Sequence, residues 1–345
     1  MDAIRAEIAA HGPIPFERFM EVALYGADGF FMAGGLRSVQ SGDFLTSPEV
    51  SRLFGETLAR FVAEEKSRVG EPFCLVEVGA GSGSLLAPLL DVVNVPAWAV
   101  EVSPAARAAL TATLPEERIV ASLAQVPGPF AGVIIANELI DNLPMAIAQY
   151  TDQGWRERWV GAEDGALTFV DAPVRSEVAE WLNRFAGPVE VGGWVEVQLA
   201  AGQWVREALG LLTQGALAVI DYGDLAENLA PRRRDGTLRT YRSHHLGPHP
   251  LDEPGATDIT ADVNFSALLW AAVEAGATAS LHRQDDFLSD LGLRSRLAGL
   301  RRSELDLARS GDEMERLRVR TLVTEAETVL HPRGLGDFRV MVARK

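Results

Sequence analysis

Acidic residues stand on either side of a glycine triplet in this sequence, and a second pair of acids follows about 35 residues later. The segment Phe73 to Leu85, FCLVEVGAGSGSL, runs from an apolar stretch into Gly79, Gly81 and Gly83. Glycines there let the chain turn tightly and let a ligand reach the backbone around Ala80 and Gly81 where a side chain would clash. Glu77 precedes the turn by two residues, where a carboxylate would repel a pyrophosphate and attract the cationic methionine end of S-adenosylmethionine. Glu101 closes the next apolar run, 18 residues beyond Gly83, with Val102 beside it. An acid at that distance can accept hydrogen bonds from both ribose hydroxyls of an adenosine. The two acids together favour a sulfonium cofactor over a dinucleotide.

A second constellation follows the apolar run AGVIIA, which passes directly into NELIDNLPM. Asn137, Glu138, Asp141 and Asn142 then crowd the place where the reactive end of a ligand should lie. Two carboxylates can hold a guanidinium, which keeps its charge in water and pairs with carboxylates in forked geometry. Their expected work is orientation and proton acceptance beside a nitrogen nucleophile brought into line with the methyl group. Which of Glu138 and Asp141 takes the proton is open at this level. So is the plainer reading in which Asp141 caps a short helix and Glu138 is solvated.

These residues need elements to carry them. From Phe73 onward, strand and helix patterns alternate: strands at 73–78, 96–101, 118–121 and 131–136, with helices at 83–92 and 103–112 between them. Such alternation predicts an α/β fold, a Rossmann-like and mainly parallel sheet with helices on both faces and ligands beyond the carboxyl ends of its strands. The first 70 residues read instead as a helical N-terminal extension, with helices at 3–10, 15–24 and 51–66. Between the last two lies a glycine- and aromatic-rich segment, YGADGFFMAGGLRSVQSGDFLTSPEV, with the composition of an ordered loop. Pro48 suits a first helical turn capped by Ser47.

Residues 71–345 then read as the Rossmann-like domain, with two insertions. The first, at about 143–193, reads as antiparallel strands MAIAQYT, WRERWV and ALTFVDA; the second, 224–262, is polar and reads as a lid or substrate loop. Alternation resumes between them with a strand at 194–199, a helix at 201–213 and the strand LAVIDYG, and later with helix 265–275 and the strands ATASLHR and DFRVMVARK. Trp155, Trp159 and Trp181 fall in the first insertion, where core packing is the commoner use of tryptophan.

Bulk properties narrow the partners. The 345 residues are 47% hydrophobic, enough for a sizeable core, and carry a net charge of -16. That charge repels a phosphate backbone and suits a cationic partner, so no nucleic acid is expected. No apolar run reaches the roughly 20 residues of a membrane span. The opening residues MDAIRAEIAAHG are acidic where a targeting segment would be basic, so the expectation is a cytoplasmic protein. Cys74 is the only cysteine and sits in an apolar strand, the setting of an inert thiol. His244, His245 and His249 lack the companion ligands of a metal site, and none is expected.

Six segments in order, SGDFLTSPEVSRLFGE (41–56), VEVGAGSGSL (76–85), ANELIDNLP (136–144), AVIDYGD (218–224), TLRTYRSH (237–244) and DITADVNFSAL (258–268), resemble the MidA-type class I methyltransferases. The mitochondrial members of that family are complex I assembly factors that methylate an arginine of a complex I subunit. The resemblance implies a Rossmann-like methyltransferase, S-adenosyl-L-methionine as cofactor and protein arginine methylation. It implies that Asp43, Thr46, Ser47 and Pro48 close over the cofactor, and that Asn137, Glu138 and Asp141 face the acceptor. It also places Asp221, Tyr222 and Tyr241 on the substrate side. Many class I methyltransferases carry an acid after the third strand for the adenine amino group; this chain has Ser122 and Leu123 there, so backbone contacts are expected. The expected partner is a protein presenting an arginine, and a homodimer is left open.

Two other classes compete with that expectation. A non-catalytic assembly protein could use the fold with residues 143–175 and 224–262 as its binding surface, and a small-molecule methyltransferase could use the same acids to orient an amine. A nicotinamide enzyme fits less well, because the third position of its glycine fingerprint is Ser84 here.

Overall fold

A computed structural model describes residues 2–35, 46–232, 234–242, 245–310 and 312–345. Its centre is a seven-stranded sheet formed by β1 (Cys74–Val78), β2 (Ala97–Val100), β3 (Ile119–Val120), β4 (Phe130–Asn137), β5 (Leu212–Asp221), β6 (Thr278–Arg283) and β7 (Arg339–Arg344). Their spatial order is β3-β2-β1-β4-β5-β7-β6. The first five strands run parallel, while β7 lies antiparallel to both β5 and β6. Parallel strands covered on both faces should read as near-continuous apolar runs, and VIIA in β4 and LAVI in β5 do.

The pleat sends alternate side chains of these runs into two cores. Leu75, Val133, Ile135, Ala218, Ile220 and Val342 face one side, against α3 (Arg52–Val69) and the helical hairpin of α6 (Leu293–Ser310) and α7 (Glu313–Val329). Val76, Ile134, Leu217, Val219 and Met341 face the other, against α4 (Leu199–Leu211) and α5 (Phe265–Glu274). The helices expected at 83–92 and 103–112 are shorter, Leu86–Leu90 and Pro104–Leu110. Ser51 starts α3 by accepting a hydrogen bond from the Leu53 N–H. The preceding turn of helix, Ser47–Val50, is capped by Thr46 with Glu49 rather than by Ser47. Ser47 lies inside that turn and cannot cap it.

The N-terminal extension does not behave as one unit. Helix α3 belongs to the core of the large sheet, whereas α1 (Asp2–His11) and α2 (Phe16–Tyr25) bury Ile4, Ile8, Phe16, Phe19, Met20 and Leu24 against a second sheet. That sheet holds the three expected strands, here Ala146–Thr151, Gly154–Glu163 and Ala166–Ala172, together with Trp194–Val197 and the short strand Ile14–Pro15. Ile14 pairs with Val160, which ties the chain's start to the first insertion. Trp181 is in the core beside this sheet with Trp155 packed on it, while the Trp159 indole donates to Glu157.

Residues 224–262 are folded over most of their length: Arg239–Arg242, His245–Leu246 and Asp258–Thr260 form an antiparallel sheet, and Leu251 and Ile259 enter the same core as α2. Apolar residues spaced singly among polar ones anchor it, which is why composition alone suggests a loop. Among the described residues no group of side chains is arranged to hold a metal ion, and no helix is long and apolar enough to cross a membrane. Burial pushes the Cys74 thiol up, in keeping with an inert group.

The tightest approach in the large sheet is made by glycines. A Cβ on Gly132 of β4, at φ +158°, would lie 1.8 Å from the Cys74 carbonyl oxygen of β1, and one on Gly215 of β5 would lie 1.8 Å from the Gly132 oxygen. Gly210, in contrast, has open space around it on α4. Gly132→Ala is therefore expected to cost about 3 kcal/mol or more in urea unfolding. Gly210→Ala should change stability by less than about 1 kcal/mol. Equal midpoints for the two variants would contradict this account.

Candidate active site

The parallel strands end on one edge, and the glycine turn leaves that edge from β1. Gly79, Gly81 and Gly83 have φ of +72°, +52° and +88°, which side-chain-bearing residues adopt at a cost. The Gly79 and Ala80 N–H groups both donate to the Val100 carbonyl, at 2.9 and 3.2 Å, stitching the turn to the end of β2. Added atoms at Gly81 would meet open space. At Gly83 a Cβ would sit 3.1 Å from Leu110, so this glycine serves the packing of the turn against its neighbour helix and does not line the cavity.

Glu101 braces the same turn. Its Oε2 accepts from Gly81 N at 2.8 Å and its Oε1 from Ser103 N at 2.8 Å. Each oxygen keeps a lone pair, so the expected diol contacts are open to a carboxylate already fixed in place. Glu77 is 3% exposed and its Oε2 has no hydrogen-bond partner. Burial, with the Glu101 charge added, holds its carboxyl well above the ordinary range. An unpartnered buried carboxylate is costly unless a cation completes it.

Glu77, Gly79, Ala80, Gly81, Glu101, Val102, Asn137 and Glu138 line one cavity, with Thr46 and Pro48 across from them. Asn137 donates to Glu138 at 3.2 Å and leaves its own Oδ1 buried and unpaired. Two orphan acceptors, a bare glycine backbone and a pre-set diol acceptor fit a ligand with a cationic amino-acid end and a ribose. Sequence reasoning missed Tyr25, Phe31, Ser82, Ser84 and Leu139 in this lining. Tyr25 and Phe31 stack with ring centroids 5.5 Å apart, and the Tyr25 hydroxyl donates to the Asn142 carbonyl. The aromatic content of YGADGFF was the available signal.

Glu138 turns the chain out of β4 at φ +51°, a strained value for a residue with a side chain, while its N–H bonds the Ile220 carbonyl at the end of β5. It accepts a hydrogen bond from Ser47 N, and burial and the neighbouring Asp141 push its carboxyl up to about 8. Glu138 also lines a second cavity of about 540 Å³ with Asp141, Asn142, Tyr222, Tyr241 and Asp258. In Asp141, Oδ2 accepts from Tyr222 and from Thr260 (2.6 Å), whereas Oδ1 is buried and unpaired. Burial raises this carboxyl against the pull of those hydrogen bonds.

Several expected contacts lie elsewhere. Asp221 is fully buried and lines neither cavity; it accepts from the N–H groups of Ile140, Asp141 and Tyr222 and so ties down the loop after β4 rather than facing a cavity. Ser47 is also fully buried, holding Glu138 through its N–H and receiving Gln284 at its hydroxyl. Ser122 pairs with Gln125 in a turn after β3, and neither it nor Leu123 reaches the cavity, because β3 ends two residues earlier. Asp43 lies outside the described residues.

Two outcomes follow from this geometry. Gly81→Val should keep the protein folded but lower affinity for S-adenosyl-homocysteine by calorimetry at least tenfold, since its side chain points into the ligand's space; wild-type affinity would refute the placement. The raised carboxyls of Glu77 and Glu138 bind protons more tightly in the folded than in the unfolded chain. With more protons bound by the native state, stability falls as pH rises from the ordinary carboxylate range through about 8. Melting temperature of the ligand-free protein should decline over that window, and Glu77→Gln with Glu138→Gln should flatten the decline; an unchanged slope would contradict it.

Known proteins carry the same arrangement of chain and fold. A family model for S-adenosyl-L-methionine-dependent methyltransferases matches residues 57–282. The mitochondrial protein arginine methyltransferase NDUFAF7 of Xenopus tropicalis is 30% identical over 344 residues, covering 88% of this chain and 77% of its own. The human protein of that name is 28% identical and covers 96% of this chain and 80% of its own. A crystal structure from Burkholderia thailandensis bound to S-adenosyl-homocysteine is 32% identical, covers 100% of this chain and 91% of its own, and superposes with a TM-score of 0.88. The expected cofactor and the Rossmann-like sheet are thereby shown. This chain belongs to the MidA-type family of class I S-adenosyl-L-methionine-dependent methyltransferases.

Proposed function

We propose that this methyltransferase modifies an arginine side chain of a protein substrate. The observation that carries the reading is Glu138, which lines both cavities and so stands between a cofactor and whatever occupies the acidic second chamber. A guanidinium suits that chamber, because the unpaired Asp141 Oδ1 and the Glu138 carboxyl offer it two acceptors. The net charge of -16 favours a cationic approach, and the relatives named above are described as protein arginine methyltransferases.

When bound, the cofactor supplies a methyl group on a cationic sulfur, open to in-line attack by a nitrogen. Glu77, Gly81 and Glu101 would hold it, with Thr46 and Pro48 as a roof. Asp141 orients the guanidinium through Oδ1, while Tyr222 and Thr260 keep its other oxygen occupied and fix the carboxylate plane. Glu138 takes the proton that the attacking nitrogen must lose. With its carboxyl at about 8, Glu138 is mostly protonated at neutral pH until cations arrive, and each cation beside it draws the value down. Asn137 and Ser47 hold the carboxylate for that transfer. Asp221 acts only through the loop it ties down.

Glu138→Gln is expected to lower kcat by about 100-fold or more, while S-adenosyl-homocysteine affinity changes only a few-fold. In the wild type with cofactor bound, kcat/KM should rise with pH to an inflection below about 8, the ligand-free value of Glu138 from which the cofactor's positive charge draws it down. Incubating lysate from cells lacking the gene with enzyme and labelled S-adenosylmethionine, then mapping label by mass spectrometry, tests the substrate. Label on protein arginines is the expected result; label confined to small molecules, or a Glu138→Gln enzyme of full activity, would overturn the reading.

A further inference from the structure

The second cavity has a basic wall that an arginine acceptor alone does not call for. Arg232, Arg239 and Arg333 line it together with Asp258, Asp262 and Asp337, and the first two arginines pair with one carboxylate: Asp262 Oδ2 to Arg232 at 2.9 Å and Asp262 Oδ1 to Arg239 at 2.8 Å. Asp262 is 4% exposed at its side chain, whereas the two guanidinium groups are 47% and 39% exposed. Two half-exposed guanidiniums thus share one nearly buried carboxylate in the cavity lining.

Sheet register fixes how near this wall stands to the acceptor. In the antiparallel pair of Arg239–Arg242 with Asp258–Thr260, Arg239 lies opposite Thr260 and Tyr241 opposite Asp258. Residues directly opposite project to the same face, and alternate residues to the other. Thr240 and Ile259 accordingly point away, with Ile259 in the apolar core beside α2. Thr260 donates to Asp141, so Arg239 is one cross-strand neighbour from the carboxylate proposed to orient the acceptor. A bare guanidinium brought to Asp141 would leave the exposed N–H donors of the arginine pair unused. An acceptor accompanied by a carboxylate would not.

We propose that Arg232 and Arg239 bind a substrate carboxylate lying close to the methylated arginine, so that the enzyme selects an arginine with an acidic neighbour. The inference rests on the arginine reading above and adds a specificity-determining pair to it. Two guanidiniums converging on Asp262 present outward-facing N–H donors in fixed orientation, the geometry that suits a carboxylate. Asp262 needs only one of them for neutrality. Glu138 and Asp141 then receive the cation, and the neighbouring arginine pair receives the anion.

The test uses the substrate protein identified by labelling in deletion lysate. Mapped arginines should have Asp or Glu within about two residues in the chain or folded against them. Replacing that acid by its amide in the substrate protein should raise KM at least tenfold for the wild-type enzyme. Arg232→Gln, which leaves the Arg239 pair with Asp262, and the Arg232→Gln/Arg239→Gln double variant should each shrink this discrimination, the double variant to about twofold. Arg232→Lys should restore part of it. S-adenosyl-homocysteine binding reports whether each variant is folded. Absence of any methylated arginine would defeat the arginine reading itself. Methylated arginines without an acidic neighbour, or an amide substitution with unchanged KM, would overturn the carboxylate pair alone.

Discussion

Acids collected at one edge of a parallel sheet are the constraint on which the rest of this structure depends. Strands β1, β2, β4 and β5 all finish on that edge, and each delivers a carboxylate at or just past its tip: Glu77, Glu101, Glu138 and Asp221. In an isolated loop they would spread into water. Here they are confined within the reach of one another, and burial lifts each above its ordinary range. A fold that crowds like charges in this way must supply donors for some and leave the remainder for a cationic ligand.

Backbone supplies most of the donors. Asp221 is surrounded by the N–H groups of Ile140, Asp141 and Tyr222, and Glu101 by those of Gly81 and Ser103. Their role is to hold two loops, the glycine turn and the loop at 138–142, against the end of the sheet. Asn137 and Asp141 each keep an unpaired oxygen, and Glu138 between them is held at a backbone angle that L-residues avoid. Strain and unsatisfied acceptors coincide at the position between the two cavities, where chemistry would use both.

The peripheral elements make sense in relation to that edge. Helix α2 reaches it with Tyr25, the Ser47–Val50 turn presents a backbone N–H to Glu138, and the small sheet at 239–260 lines the second cavity with Arg239, Tyr241 and Asp258. These three pieces come from distant parts of the chain. Helix α2 and the small sheet share the core of Phe19, Leu24, Met145, Ile147 and Ile259, whereas the Ser47–Val50 turn packs through Val50 on the core of the large sheet.

Much of this was legible in the residues themselves. Apolar runs of the length and composition of parallel strands, each ending in glycine or acid, specify the sheet and the edge because local pattern and global fold agree there. Glu77, Gly81, Glu101, Glu138 and Asp141 could be placed at the site for the same reason: a residue at the carboxyl end of a parallel strand has little choice of location. What spacing could not decide was which acids would be free. Asp221 and Glu138 look alike as strand-terminal carboxylates, yet one is consumed by backbone N–H groups and the other faces two cavities. The helical extension likewise divides between two cores, and Arg232 joins Arg239 on one carboxylate only through sheet pairing and a turn. Periodicity along a chain determines which face a side chain takes, but hydrogen-bond partners and charge neighbours are set by packing between segments far apart in sequence, and that is a property of the folded chain alone.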